Sequence, residues 1–296
     1  MNRNQFLKTL GLLSFMNPVQ SLKALEKLSD NLDATSKMPL LFLGHGSPMN
    51  AIEENEFVRG FRKIGSEIVK PKAILCVSAH WETRGTKITA MDSPRTIHDF
   101  GGFPQQLHEV QYPAPGNPQL AKATKELLSG SSAELDHNWG LDHGAWSVIK
   151  HMYPEADVPV IQLSLDYTQS PSYHYELAGK LHALRNKGVL IIGSGNMVHN
   201  LSRVAWDKIN ESGYGYEWAI EANTKMKSFI TSGNHKALVE YKKQGSSFDL
   251  SIPTPDHFLP LLYVLGLKDK KDQVSFFNDK AIAGSLTMTS VCLTPT

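Results

Sequence analysis

Cysteine is nearly absent from this chain of 296 residues, which contains only Cys76 and Cys292. Both lie inside apolar runs, where a free thiol behaves as a small hydrophobic side chain, and such sparse use is typical of a reducing compartment. Because no C-x-x-C pair occurs, the sequence excludes a thiolate zinc site and an iron–sulfur cluster.

Long hydrophobic runs and dense clusters of one charge are also missing. No apolar stretch approaches the roughly 20 residues that span a bilayer. The formal net charge is +1 without a concentrated run of Lys or Arg, which argues against nucleic acid and membranes as partners. Apolar residues make up 41% of the chain and charged residues 20%, so we expect a globular protein with a substantial core.

The first 37 residues are set apart from the predicted fold. Residues 2–8 and the apolar residues 10–16 are similar to a twin-arginine export signal, but Asn4 stands where the second arginine would be, and no small-x-small cleavage site follows. The alternative is an amphipathic N-terminal helix. We therefore predict that residues 1–37 are an N-terminal segment with a vestigial export signal and that residues 38–296 form one domain. The cytoplasm is the expected location, and periplasmic export is the alternative.

From Met38 onward, apolar strand patterns alternate with helical patterns. Strands are predicted at 39–44, 73–79, 86–91, 158–165, 189–194 and 285–293. Helices are predicted at about 53–68, 119–129, 143–152, 172–187, 216–230, 234–243 and 256–265. This alternation predicts a single α/β domain whose central, mainly parallel mixed sheet is flanked by helices, with the active site at the C-terminal ends of the strands.

Histidines follow three of the predicted strands, and a fourth opens a predicted helix. The three are His45, His80 and His199, and the fourth is His257 in Pro255-Asp256-His257. The C-terminal ends of parallel strands meet at one edge of a sheet, so we expect these side chains to lie together. Neutral imidazoles suit iron(II), zinc or copper and suit calcium or magnesium poorly. The pattern therefore predicts a metal site without deciding the metal.

Three further histidines are candidates for substrate contact around that site. His143 and His174 begin predicted helices, and His98 lies in the segment 92–118. This segment contains five prolines and the pair Gly101-Gly102. Because long ordered loops often form walls or lids of sites, we expect it to border the pocket.

Seven motifs together resemble the 4,5-DOPA extradiol dioxygenase family, which belongs to the class III, LigB-type extradiol ring-cleavage enzymes. The resemblance covers about residues 38–293. The motifs, in chain order, are Gly44-His45-Gly46-Ser47-Pro48-Met49, Ser78-Ala79-His80-Trp81, Thr96-Ile97-His98-Asp99-Phe100-Gly101-Gly102-Phe103-Pro104, Tyr112-Pro113-Ala114-Pro115-Gly116, Asp142-His143-Gly144, Gly193-Ser194-Gly195-Asn196-Met197-Val198-His199-Asn200 and Pro255-Asp256-His257.

The resemblance implies a role for each motif histidine. His45, His80 and His257 would hold the metal, and His199 would be a fourth ligand when zinc is bound or the acid/base beside iron. His143 would contact the substrate oxygens or share the proton transfer. Many class III enzymes complete their ligand set with a glutamate, whereas this chain offers His257, so nearby carboxylates leave a mixed ligand set open.

The implied activity is extradiol cleavage of a catechol such as DOPA by dioxygen, giving a muconic semialdehyde-type product. Iron(II) would be the active cofactor, and zinc is an alternative occupant of the same site. Two other functions remain open at this point: a zinc-dependent hydrolase, and a non-catalytic binding protein on the same fold. The sequence decides neither the catechol nor the oligomeric state.

Overall fold

The structure is a computed structural model that describes residues 35–209 and 211–296. The predicted export signal and its helical alternative both lie outside the described residues. Within the described part of the chain, no helix is long and apolar enough to cross a membrane.

Eight strands form one sheet in the order β4-β3-β5-β2-β6-β1-β10-β7, and a separate pair is formed by β8 and β9. The strands are β1 (Leu40–Gly44), β2 (Ala73–Thr83), β3 (Lys87–Thr89), β4 (Glu134–Asp136), β5 (Val160–Asp166), β6 (Val189–Gly195), β7 (Gln273–Phe277), β8 (Ala281–Ile282), β9 (Leu286–Thr287) and β10 (Ser290–Thr294).

The centre of the sheet is parallel and its flanks are antiparallel. Strand β1 pairs in parallel with β6, β6 with β2, and β2 with β5. Strand β10 runs antiparallel to β1, and β3 runs antiparallel to β5. The predicted mainly parallel mixed sheet is therefore confirmed, and the C-terminal ends of β1, β2 and β6 share one edge.

Helices cover both faces of this sheet. They are α1 (Glu56–Glu67), α2 (Gln105–His108), α3 (Pro118–Leu127), α4 (His143–Met152), α5 (Pro171–Gly179), α6 (Glu217–Ser232), α7 (His235–Val239), α8 (Ser246–Ser251) and α9 (Leu259–Gly266). Short 3-10 helices occupy Pro48–Ala51, His182–Lys187, Leu201–Arg203, Trp206–Lys208 and Tyr241–Lys243.

Two hydrophobic cores lie on opposite faces of the sheet. In β1, Leu40 and Phe42 pack into one core, and Leu41 and Leu43 pack into the other. Alternate side chains of a strand point to opposite faces, so a strand covered on both sides is apolar throughout. This is why the central strands were recognisable as uninterrupted apolar runs.

Element boundaries differ from the prediction at several places. The predicted helix 172–187 is divided into α5 and a 3-10 helix, and the predicted strand 285–293 is divided into β9 and β10. Helix α9 begins at Leu259 rather than at residue 256, with Pro260 in its first turn, where a missing N–H costs no hydrogen bond. His257 therefore lies in the turn before this helix.

Candidate metal centre and pocket

His45 directly follows β1, whereas His80 lies within β2 rather than after it, because this strand continues to Thr83, and the two side chains are in contact. His45 is buried, and its Nε2 lies 3.1 Å from Nε2 of His80. A metal bound by two imidazoles at about 2.1 Å separates their nitrogens by about 3.0–3.4 Å, depending on the angle at the metal. The spacing of these two nitrogens therefore fits ligands of a common ion.

A hydroxyl in β6 fixes which nitrogen of His45 faces the pocket. Ser194 Oγ donates a hydrogen bond to the carbonyl oxygen of Gly144 and lies 3.0 Å from His45 Nδ1. Since the hydroxyl proton is used by Gly144, Ser194 accepts a hydrogen bond from Nδ1–H of His45. The neutral ring then carries its lone pair on Nε2, the atom that faces His80.

His257 approaches the same point from the turn before α9. The backbone N–H of Asn196 donates to the carbonyl oxygen of His257 at 2.9 Å. A Cβ on Gly195 would lie 2.2 Å from that oxygen, so only glycine allows the turn to pack this closely on β6. Asp256 accepts a hydrogen bond from Nδ1 of His257, which leaves Nε2 of His257 available.

These three histidines form a ligand set of one chemical type. One ligand nitrogen from each of His45, His80 and His257 lies within 4.8 Å of the other two. Burial, and then the neighbouring imidazoles, lower the pKa of His45 and of His80 well below the usual 6.5. Both rings are therefore neutral at pH 7 and keep the lone pairs that a divalent metal needs. Glu82 belongs to no such group among the described residues.

His143 stands beside this set at the start of α4. Asp142 caps the helix by accepting from the N–H of Ala145, which fixes the direction in which the first turn points. The His143 ring centroid lies 3.8 Å from that of His80. The Asp99 carboxylate accepts from Nδ1 of His143 at 2.9 Å and from its backbone N–H at 2.8 Å.

His199 stacks on His257 at the other side of the pocket. Their rings are parallel within 6°, and their centroids are 3.5 Å apart. Burial, and then the neighbouring His257, lower the pKa of His199 to about 3. Its ligand nitrogen groups with Asp256 and His257, and not with His45 and His80, among the described residues.

Two carboxylates give the pocket its charge. Burial opposes the ionisation of Asp99, but hydrogen bonds from His143 outweigh it and lower the pKa of Asp99. Burial likewise opposes ionisation of Asp256, but the hydrogen bond from His257 prevails and lowers the pKa of Asp256. Two negative charges beside neutral imidazoles suit a dication.

The two remaining predicted substrate contacts lie further from the set. His98 approaches the backbone carbonyl of Val110 at 2.9 Å, and its ring touches Phe100, whose own ring contacts His143. His174 is fully buried, and its Nδ1 lies 3.1 Å from the hydroxyl of Tyr263. Their predicted roles as substrate contacts stay predictions.

Asp99 and Ser194 are two residues of the site for which no sequence pattern predicted a role. Asp99 lies 44 positions from His143 and Ser194 lies 149 positions from His45, and no local spacing connects either pair. Both residues occur inside the motifs that resemble the dioxygenase family. A motif does not, however, reveal which distant side chain its polar residue contacts in the fold.

Comparison with known proteins places this geometry in a family. Residues 35–290 match the family described as the catalytic LigB subunit of aromatic ring-opening dioxygenase. The chain belongs to this family. It is therefore an enzyme of the extradiol dioxygenase type, as the motifs indicated.

Named relatives of this LigB-family chain cover nearly its whole length. A 4,5-DOPA dioxygenase extradiol of Escherichia coli (strain K12) is 46% identical over 269 residues, covering 89% of this chain and 97% of the relative. One of Beta vulgaris is 35% identical over 275 residues, covering 90% and 98%. The crystal structure of an uncharacterized protein of Escherichia coli K12 aligns with a TM-score of 0.75 and 42% identity, covering 87% of this chain and all of that one.

Proposed function

We propose that this protein is an iron(II)-dependent extradiol dioxygenase that cleaves a catechol such as DOPA at the 4,5-position. The observation that carries the proposal is the convergence of His45, His80 and His257, with one ligand nitrogen of each within 4.8 Å of the other two, in a chain that belongs to the LigB family. Zinc fits the same ligands, but it has no accessible redox change and would not support ring opening.

His45, His80 and His257 would hold the metal. Iron(II) bound there would supply the capacity to bind a catechol and dioxygen and to pass electrons to oxygen. The protein's part is to hold the three ring nitrogens close together. Asp99 and Asp256 contribute by accepting hydrogen bonds from Nδ1 of His143 and of His257.

His143 and His199 are the proposed proton carriers. Nδ1 of His143 is held by Asp99, so Nε2 is the atom that can take a proton from a catechol hydroxyl. His199 has a low pKa of about 3, so it is neutral at pH 7 and holds no proton to supply at rest. Its stacking on His257 favours a place in the pocket over a place as the fourth ligand.

The test is anaerobic loading with iron(II), followed by oxygen and a panel of catechols that includes DOPA. We expect one O2 consumed per catechol and a coloured ring-opened product that contains both oxygen atoms. The zinc-loaded protein should form none. His45→Ala should abolish turnover, whereas His137→Ala, at an exposed position, should leave it unchanged. No oxygen uptake by iron-loaded protein with any catechol would reject the proposal.

A further inference from the structure

Asp99 groups with both His80, a proposed metal ligand, and His143, a proposed proton carrier. Its Oδ2 lies 2.9 Å from Nδ1 of His143 and 3.4 Å from Nδ1 of His80. Its Oδ1 accepts the backbone N–H of His143 at 2.8 Å. Asp256, by comparison, pairs with the ligand His257.

The loop segment around Asp99 is fixed by contacts on both sides. The N–H of Ile97 donates to the carbonyl of Leu141 at 2.7 Å, and the indole N–H of Trp146 donates to the carbonyl of Ile97 at 2.8 Å. His98, the next residue, approaches the carbonyl of Val110 at 2.9 Å. Trp146 lies in α4, the same helix that carries His143. Its hydrogen bond to the loop therefore helps to keep the Asp99 carboxylate beside the His143 ring.

The carboxylate determines the tautomer of His143. An ionised carboxylate only accepts hydrogen bonds, so the neutral ring must carry its proton on Nδ1 and its lone pair on Nε2. The Nδ1 atom of His80 faces the same oxygen. A metal on Nε2 of His80 requires the proton on Nδ1, so both rings present an N–H to Asp99 in the loaded protein.

We propose that Asp99 is a positioning residue for ring cleavage, which orients His143 with Nε2 toward the bound catechol while it also supports the metal ligand His80. This inference rests on the proposed dioxygenase function. It goes further because it names Asp99, a residue of the loop 92–118, as the group that sets the tautomer of the proton acceptor His143.

The test compares Asp99→Asn with the matched variant Asp157→Asn, both fully loaded with iron; Asp157 is an exposed carboxylate that pairs with Lys70. The amide of D99N can donate to Nδ1 of His143 and reverse its tautomer, so we expect kcat to fall about 10²–10⁴-fold with KM changed far less. D157N should keep the wild-type kcat, KM and metal affinity, because its carboxylate lies at the surface beside Lys70.

A second measurement follows the ionisation of a bound catechol rather than the rate of ring cleavage. Under anaerobic conditions 4-nitrocatechol reports in its visible spectrum how many of its hydroxyl protons have been lost. The wild type and D157N should bind it with the spectrum of the fully ionised form, whereas D99N should bind a form that keeps one proton. A purely structural role for Asp99 would change metal content and leave this spectrum unaltered.

D99N with wild-type kcat and the wild-type spectrum at full loading would overturn the inference. If D99N does not fold, Asp99→Glu takes its place, because it keeps the charge and displaces the carboxylate by one methylene. A loss in kcat of about tenfold or more with metal retained would support the inference, and wild-type kcat would overturn it. If the wild type cleaves no catechol, the proposed function fails, and the 4-nitrocatechol spectra still test Asp99 separately.

Discussion

At the scale of single residues, the three proposed metal ligands are supported by acceptors of different strength. His257 has a carboxylate partner, and His80 lies within 3.4 Å of another. His45 has a neutral hydroxyl, that of Ser194. A carboxylate raises the basicity of the imidazole more than a hydroxyl does. For His45, the hydroxyl therefore contributes mainly orientation, by fixing the tautomer and the ring plane.

Ser194→Ala tests that orientation. The variant removes the acceptor of Nδ1–H, so the ring of His45 can rotate and expose the wrong nitrogen. We expect the affinity for zinc, measured by competition with a chromophoric chelator, to fall about 10–100-fold.

Ser290→Ala is the matched control. Ser290 is an equally buried serine whose hydroxyl bonds the backbone of Gly44 and Met288 and touches no histidine. Its loss should lower the free energy of unfolding by about 1 kcal/mol with zinc affinity maintained. Equal zinc affinity in S194A and the wild type would contradict the role given to Ser194.

Residue-level prediction from the sequence succeeded where a local pattern existed. His45 and His80 follow apolar runs that had to be buried strands, and their meeting follows from the rule that parallel strand ends share an edge. The partners Asp99 and Ser194 could not be assigned, because their contacts depend on how a loop and a neighbouring strand pack. Local spacing carries no information about such long-range hydrogen bonds.

At the scale of elements, helices α5 and α9 meet through a buried polar pair. His174 from α5 is fully buried against Tyr263 from α9. Burial, opposed by the backbone and charge of Asp166, lowers the pKa of His174 to about 4. The folded protein therefore keeps this imidazole neutral under conditions in which an unfolded chain would protonate it.

This contact makes stability depend on pH in a defined window. Because the folded pKa lies below the unfolded value of about 6.5, the unfolded state binds more protons between pH 4 and 6.5. The contribution of the neutral His174 to the free energy of unfolding is complete above pH 6.5 and is lost as the pH falls. Between pH 7.5 and 5, His174 should account for about 2 kcal/mol of the fall in the free energy of unfolding.

Chemical denaturation of His174→Asn with chelator present measures this contribution by difference. The variant should be less stable at pH 7.5 but should lose about 2 kcal/mol less than the wild type on going to pH 5. Tyr263→Phe, which leaves the histidine in place, should retain the wild-type pH dependence. If H174N and the wild type lose the same amount, His174 is not the group that titrates.

Element boundaries were predictable only for elements with a clear apolar period. Strand β7 was missed because it lies at the edge of the sheet and none of its residues is fully buried. Strand β4, at the other edge, has three residues and no buried side chain. Edge strands of this kind lack the signal that identified β1, β2 and β6.

At the scale of the whole molecule, a buried arginine, Arg185, lies at the edge of the sheet opposite the histidine site. Arg185 precedes β6 and donates to the carbonyls of Met38 and Leu267 and to the carboxylate of Asp272. These partners lie before β1, after α9 and before β7. The guanidinium therefore joins three chain segments at the N-terminal edge of the sheet, opposite the histidines.

Arg185→Met should separate stability from function. It leaves the Asp272 carboxylate, which is almost fully buried, without its cation, and breaking such a pair costs about 3–5 kcal/mol. We expect urea denaturation to show that loss, with zinc affinity and any turnover of the folded protein within about twofold of the wild type, since distant sites act independently.

Glu67→Gln, which removes the exposed pair with Lys63, should cost no more than about 0.5 kcal/mol. A loss of metal affinity in R185M would instead mean that the two edges of the sheet are energetically coupled.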